Sequence, residues 1–384
     1  MFVSEYEIWN LHYATLTDKA ADDFSIIPGL AESWEPSNDG LTYTYTLRGG
    51  LLWSDGEPLT AEDVAWNINT SRDQRWQNHT SATQNLDAVV IDELTVEVTS
   101  SVPDPKLPTM DIYIVPKHIW EPLATDGEAV VSYDGLDGVG SGPFTISEFR
   151  DSQSVTMVAN PNYWGWQGED PPIDQVVFQL FSNPDAMVAA LQQGELDAAH
   201  SIPASSVQTL EADDNIELVV GQQGGFDELP INGGALEGQP HPALLDLEVR
   251  RAIGFALDKE ALVEDLWFGL TEPLEAISPS ADPRWIPDIP EESAFSYDPD
   301  RANQILDDAG YLDSDGDGIR EMPDGTNPIV LRHGVNTNTD LGAQIGDLLV
   351  GWMEQIGIGV DLIALDSDQL FTARVGAGNP VAGR

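Results

Sequence analysis

An α/β protein with more than one lobe is the fold class this sequence predicts. Two observations carry the prediction. Runs with strand character and runs with helical periodicity alternate along the chain. The 384 residues, 41% of them hydrophobic, are also more than one core usually gathers.

The elements follow in order. Residues 5–16 read as a helix, entered directly from Met1-Phe2-Val3-Ser4-Glu5 with no leader pattern. Residues 28–48 read as strands. The run Thr42-Tyr43-Thr44-Tyr45-Thr46-Leu47 is rich in β formers and follows the turn signal Asn38-Asp39-Gly40. Leu51-Leu52-Trp53 ends a strand, Ser54-Asp55-Gly56 turns it, and Pro58 stops pairing. Thr60 and Asp63 then form a capping box for a helix, with Leu59 and Val64 at the staple positions. Glu62 and Asp63 lie in its first turn, where the helix dipole favours anions. Every acid of the stretch LLWSDGEPLTAEDVAWNIN thus has a structural task.

The segment Gly138-Val139-Gly140-Ser141-Gly142-Pro143 precedes a strand, Thr145–Phe149. A phosphate loop would instead open a helix and carry a lysine, so a chain crossover between subdomains is expected. Residues 183–199 read as a capped helix that ends near Gly194, with a strand beginning at Glu195-Leu196-Asp197-Ala198. Residues 244–268 read as helical, with Val249, Ala252, Ile253 and Ala256 on one face. Proline-rich residues 273–290 follow. A helix over 299–309 closes at Gly310, and a last helix, 340–356, leads into a strand, Ile358–Leu365.

Charge is the extreme property. Against 66 Asp and Glu stand 16 Lys and Arg, a formal net charge of −50, and only four of the bases are lysine. Such a chain is a poor partner for nucleic acid, whose phosphates need Lys and Arg, and for an anionic membrane surface. Its self-repulsion is tolerable where the Debye length falls to roughly 3 Å, in molar salt, and a halophilic origin is expected. Cysteine is absent, which removes disulfides and thiol chemistry. No run of about 18 apolar residues occurs, so no transmembrane helix is expected.

Eight motifs then occur in order: PGLAESW (28–34), LRGGLLWSDGEPLTAEDV (47–64), IVPKHIW (114–120), GSGPF (140–144), NPNYWG (160–165), LQQGELD (191–197), DLEVRRAIGFALDKEALV (246–263) and DAGYLDSDGDGIRE (308–321). Together they strongly resemble the family 5 extracellular solute-binding proteins of ABC transporters, the oligopeptide- and dipeptide-binding group. The resemblance implies a two-lobed periplasmic-binding-protein fold of type II with an extra subdomain in lobe one. Residues 1–27 and 138–231 would form the core of lobe one, 28–137 the extra subdomain and 232–384 lobe two. It implies an extracytoplasmic, monomeric receptor. Ligand, a peptide in most of this group, would be enclosed between the lobes and passed to an ABC permease. An oligosaccharide or a nickel chelate is the alternative ligand, and a hydrolase the remote one. By the family pattern the fold is incomplete at both termini: leader, lipid-attachment cysteine, first strand of lobe one and the last part of lobe two lie outside the chain. Residues 336–338, Asn-Thr-Asn, also lack the base that some dipeptide-binding relatives place nearby.

By the same resemblance, Glu5, Tyr6 and Trp9 are the candidate ligand contacts. Trp164 and Trp166 are expected to pack rather than bind. No cofactor is required. The loop Asp313–Asp324 nevertheless approaches a calcium loop, with acids at positions 1, 3, 5, 9 and 12 (Asp313, Asp315, Asp317, Glu321, Asp324) and Gly318 at position 6. It departs at position 8, where Arg320 replaces an apolar residue. The alternative is a solvated acidic turn. For catalysis the sequence offers little. The histidines at 12, 79, 118, 200, 241 and 333 are scattered, and no HExxH, GxSxG or Walker pattern is present. Sequons at Asn69 and Asn78 would mark exposed surface in an exported chain.

Overall fold

A computed structural model describes all residues except 1–2, 21–24, 77–79, 111, 125–137, 222–226, 232–240, 275–286, 291–293, 338–339, 367–368 and 371–384. The chain divides into two compact units, Met1–Ser182 and Asn183–Arg384.

The first unit opens with α1 (Val3–His12) and a short antiparallel pair, β1 (Thr17–Lys19) with β2 (Ile26–Pro28). A four-stranded antiparallel sheet follows, β3 (Ala31–Pro36), β4 (Thr42–Leu47), β5 (Leu86–Asp92) and β6 (Thr95–Ser100), in the order β3-β4-β6-β5. The expected turn joins β3 to β4. Asp39 accepts from the Leu41 N–H and the Ser37 hydroxyl, and Gly40 takes φ +69°. In β4, Tyr45 and Leu47 point into the core between threonines.

Residues 51–59 do not end a strand but form their own small hairpin. Trp53 N–H donates to Glu57 O and Leu59 N–H to Leu51 O. Pro58 sits within this pairing, opposite Leu52, because its missing N–H falls where no ladder bond is needed. Trp53 is completely buried. The predicted capping box then closes α2 (Ala61–Gln74). Thr60 Oγ1 accepts from Glu62 N–H (3.2 Å), and the Asp63 carboxylate accepts from Thr60 N–H (3.0 Å). Asp63 is buried and also accepts from Lys117 N–H, which ties α2 to the start of α4 (Lys117–Ala124). Burial pushes its carboxyl pKa up against these two N–H donors. Leu59 and Val64 pack in the core as the staple pair. Thr60→Ala should cost about 1 kcal/mol in urea unfolding and leave ligand affinity unchanged; a selective loss of binding would contradict the structural role.

Two expectations change here. The first helix stops at His12 rather than residue 16, because His12 O and Ala14 N–H are taken by the crossover segment (below) and Thr17 enters β1. Asn69 is not a free surface sequon. Its amide donates to Ala88 O (2.8 Å) and accepts from Ala88 N–H (3.1 Å), holding β5 against α2. The second sequon, Asn78, lies outside the described residues. A short helix, α3 (Thr80–Thr83), leads from α2 toward β5. The unit ends in a three-stranded antiparallel sheet, β7 (Phe144–Arg150), β8 (Ser154–Ala159) and β9 (Gln175–Gln179).

The second unit contains α5 (Pro184–Gln192), capped by Asn183 and closed at Gly194 with φ +72°, then α6 (Ala204–Glu211). Residues 195–198 stay outside any sheet: no neighbouring strand among the described residues offers a ladder. The helix expected over 244–268 is two, α7 (Leu247–Ala256) and α8 (Lys259–Trp267). Asp258 accepts from Ala261 N–H (2.9 Å) and so caps a new helix in the middle of an unbroken apolar pattern. The predicted face is right: Val249, Ala252, Ile253 and Ala256 are buried together. Then come α9 (Pro299–Asp308), closed before Gly310 at φ +85°, β10 (Val330–Asn336), α10 (Asp340–Glu354) and β11 (Gly359–Leu365). β10 and β11 pair in parallel across the α10 crossover.

Candidate functional site

The first candidate is α1. Its far end is clasped by the glycine-rich crossover. Gly142 N–H donates to His12 O (2.9 Å) and Ala14 N–H to Ser141 Oγ (2.9 Å). A Cβ at Gly140 would lie 2.2 Å from His12 O, and one at Gly142 2.3 Å from Leu11 O. The glycines therefore serve backbone contact. Ser54 N–H bonds Gly140 O (3.0 Å), which joins the 51–59 hairpin to the same clasp.

On the helix, Tyr6 and Trp9 are three residues apart and share a face. Tyr6 is 51% exposed. Trp9 is half-buried, stacked on Tyr13 at 5.5 Å and packed against the main core. The side chain of Glu5 lies outside the described residues. Below the clasp sits a residue that sequence reasoning left aside. His12 is fully buried, and among the described residues neither ring nitrogen makes a hydrogen bond of good geometry, the Phe144 backbone being the one weak polar neighbour. Burial holds its pKa down at about 4, against a weaker opposing influence of the Phe144 backbone. Trp164 and Trp166 pack: Trp164 lies half-buried under the Arg48 guanidinium at 4.0 Å, and the Trp166 indole donates to Asn160 O.

The second candidate is the acidic loop. Asp313, Asp315, Asp317 and Glu321 each bring a carboxylate oxygen to within 4.8 Å of the others. Asp324 is not brought to this group; its carboxylate accepts from Thr326 N–H (3.0 Å) and Thr326 Oγ1 (2.7 Å), which hold its pKa down. Backbone donors shape the loop: Gly316 and Gly318 N–H to Asp313, Asp317 N–H to Asp315, Ile319 N–H to Asp317, and Ser314 N–H to the buried Glu321. Such a set of hard oxygens suits a calcium-sized cation.

Arg320, the departure at position 8, is buried and serves as the loop's anchor. Its Nε donates to Ile356 O (2.9 Å), Nη2 to Asn303 Oδ1 (2.8 Å), and Nη1 to Asp307 Oδ1 (2.6 Å) and to Tyr311 O. One guanidinium thus joins the loop to α9, to the turn after it and to the chain following α10. In the first unit, Asp55 holds His118 Nε2 at 2.9 Å and accepts from Glu57 N–H. Both are side chains of local scaffolding, as expected for this stretch.

A two-unit α/β chain of this kind, without a helix among the described residues long and apolar enough to cross a membrane, has the architecture of the periplasmic binding proteins. The Bacillus subtilis oligopeptide-binding protein AppA, solved with a nonapeptide, superposes with a TM-score of 0.79 at 23% identity, covering 97% of this chain and 72% of that one. A Thermotoga maritima periplasmic oligopeptide-binding protein, solved with mannohexaose bound, gives 0.74 at 27% identity over 93% of this chain and 67% of the other.

The family model described as bacterial extracellular solute-binding proteins, family 5 Middle, matches residues 25–381, and the chain belongs to that family. A Brucella ovis protein named as the peptide-binding protein of an ABC transporter is 28% identical over 340 residues, 88% of this chain. The chain spans about 60% of the length of that relative.

Proposed function

We propose that this chain is the ligand-binding part of an extracytoplasmic receptor that delivers peptides to an ABC permease. The supporting observation is the family match along nearly the whole chain, joined to relatives named for peptide binding. In this reading residues 1–27 and 138–231 form the core of lobe one, 28–137 its extra subdomain and 232–384 lobe two. Glu5, Tyr6 and Trp9 on the clasped α1 meet the ligand. The work is differential binding: ligand stabilises a closed form that the permease recognises, with no covalent step. Titration with a mixed peptide pool in molar salt, read by calorimetry and tryptophan fluorescence, tests it. Saturable heat with peptides supports the reading. Heat with oligosaccharides alone would replace the ligand class, and turnover of any ligand, abolished by a point mutation, would overturn the receptor role.

We propose further that the loop of Asp313, Asp315, Asp317 and Glu321 takes calcium as a structural ion. Four converging carboxylate oxygens support this, since without a cation they repel one another. Calcium should raise the melting temperature and chelator lower it at constant ionic strength, and Asp315→Asn should blunt the response. An equal melting temperature in calcium and in chelator would reject the ion.

A further inference from the structure

Helix α1 is held by two kinds of contact. Ile8 and Leu11 pack against Phe144 and Ile146 of β7 and Val155 and Met157 of β8. Apolar contact is non-directional. It sets which face of α1 turns inward more firmly than where the helix stands along the sheet. Direction comes from hydrogen bonds, and two of them start in the part of the first unit built around the four-stranded sheet. Tyr113 OH donates to Asn10 Oδ1 (2.7 Å), within the helix. Ile114 N–H donates to Ala14 O (3.2 Å), just past its end.

A third link runs through the crossover. Ser54 Oγ donates to Gly138 O (3.3 Å) and accepts from Gly140 N–H (3.1 Å), beside the bond from Ser54 N–H to Gly140 O. Ser54 thus pairs with residues 138–140 much as a neighbouring strand would. Its own peptide is fixed in turn, because Asn162 Nδ2 donates to Trp53 O (3.1 Å) and to Ser54 O (3.2 Å). The next two residues of the crossover, Ser141 and Gly142, grip Ala14 N–H and His12 O. Both anchors root in one core. Trp53, next to Ser54, is fully buried, and so are Ile112 and Ile114 on either side of Tyr113. A close-packed core holds the adjoining backbone in one place, so the two hydroxyls are presented to α1 and to the crossover from fixed points.

We infer that Tyr113 and Ser54 are positioning residues for ligand binding: they set where α1 stands in the first unit, and with it Tyr6 and Trp9. The inference rests on the reading that α1 meets the ligand. Asn10 follows Trp9 directly and lies one turn from Tyr6, so a bond at Asn10 acts on the stretch of helix that carries both. A binding site has to be held within about 0.5 Å of its productive geometry by supporting packing and hydrogen bonds. Loss of either hydroxyl removes one such support and leaves the apolar packing of α1 intact. Tyr113 reaches Asn10 across 103 residues of chain, so no local pattern in the sequence announces it.

Hydrogen–deuterium exchange of the full chain without ligand, read by mass spectrometry on peptides covering residues 5–14, tests the placement of the helix. Tyr113→Phe and Ser54→Ala each delete one hydroxyl. Each should speed exchange there about threefold to tenfold, with exchange in β4 and β6 unchanged. Ser54→Thr keeps a hydroxyl and should behave as the parent chain. The consequence for binding is read as the apparent dissociation constant for the mixed peptide pool. Tyr113→Phe and Ser54→Ala should each raise it about threefold to tenfold, and by less in a Tyr6→Ala background, since the residue they position is then gone. Unchanged exchange in α1 would overturn the inference. So would exchange raised equally in β4 and β6, the mark of a merely structural role, or binding weakened by Tyr6→Ala but by neither hydroxyl variant. Faster exchange in α1, with pool affinity unchanged in Tyr6→Ala and in both hydroxyl variants, would overturn the ligand reading of α1 instead and leave Tyr113 and Ser54 as what fixes the helix.

Discussion

Replacing Arg320 by methionine should destabilise the second unit by about 2–6 kcal/mol, measured as a shift in urea unfolding. The figure follows from what the guanidinium leaves behind. Methionine has a similar stem and fills similar space, so the packing loss is small. The carbonyls of Tyr311 and Ile356, however, lose their only described side-chain donor. A buried polar group left unmade costs about 1–3 kcal/mol each, and two such groups set the range. Asn303 Oδ1 loses a donor as well. The ion pair itself contributes little. Asp307 is 55% exposed, so its carboxylate is largely solvated and the attraction is weakened by water. Asp307→Asn should therefore cost less than about 1 kcal/mol. The two variants together separate carbonyl satisfaction from charge pairing. Equal losses in both would show that the pair, not the fork of donors, carries the stability.

Arg320 also marks where sequence reading ends. As a pattern it is only the wrong residue at position 8 of a calcium-like loop. Its partners lie 9, 13, 17 and 36 residues away, and no local rule connects them. Local chemistry was readable. Thr60 with Asp63, Asn183 before α5 and the glycines at 194 and 310 act as caps and stops, since each depends on neighbours within a few positions. The buried face of α7 was readable for the same reason. Most failures fell where a distant partner decides. Asp258 is the local exception, a cap three residues from its partner that an unbroken apolar run conceals. Residues 195–198 have strand-type character but no ladder. The crossover 138–143 reads as structural, yet its hydrogen bonds to His12 O and Ala14 N–H depend on a helix more than a hundred residues earlier. For the candidate sites the balance is similar. The loop acids were legible as a spacing, with Asp324 the one that its own turn withdraws. The α1 contacts rest on resemblance, and the structure adds the clasp that holds them.

Acid should weaken the clasp around His12, and the sign can be worked out. In the folded chain the imidazole stays neutral down to about pH 4. In the unfolded chain it takes a proton near its ordinary value of about 6.5. Between these values the unfolded state binds more protons, so stability rises with pH. The contribution is fully present above about pH 6.5 and is lost as pH falls toward 4. At about 1.4 kcal/mol per unit the loss approaches 3 kcal/mol. The physical source is geometric: the ring is sealed under Gly140 and set edge-on to Tyr13 at 4.3 Å, and the Phe144 backbone, its one weak polar neighbour among the described residues, offsets only part of the burial. Carboxylates titrate in the same range and complicate the raw curve. In a chain of net charge −50, protonating them relieves repulsion and works the other way. The useful quantity is therefore a difference. His12→Phe keeps an aromatic ring in the site and removes the titration. Its stability relative to the parent chain should improve by about 3 kcal/mol between roughly pH 7 and pH 4, whatever its offset at neutral pH. Urea unfolding at a series of pH values, at constant molar salt, measures this directly. A difference that stays flat with pH would mean that the imidazole finds a partner or water when charged. The sealed clasp would then be wrong at its centre. A difference that grows as described would show that α1 is held in place by a site that accepts only the neutral ring, and that mild acid loosens the helix carrying Tyr6 and Trp9.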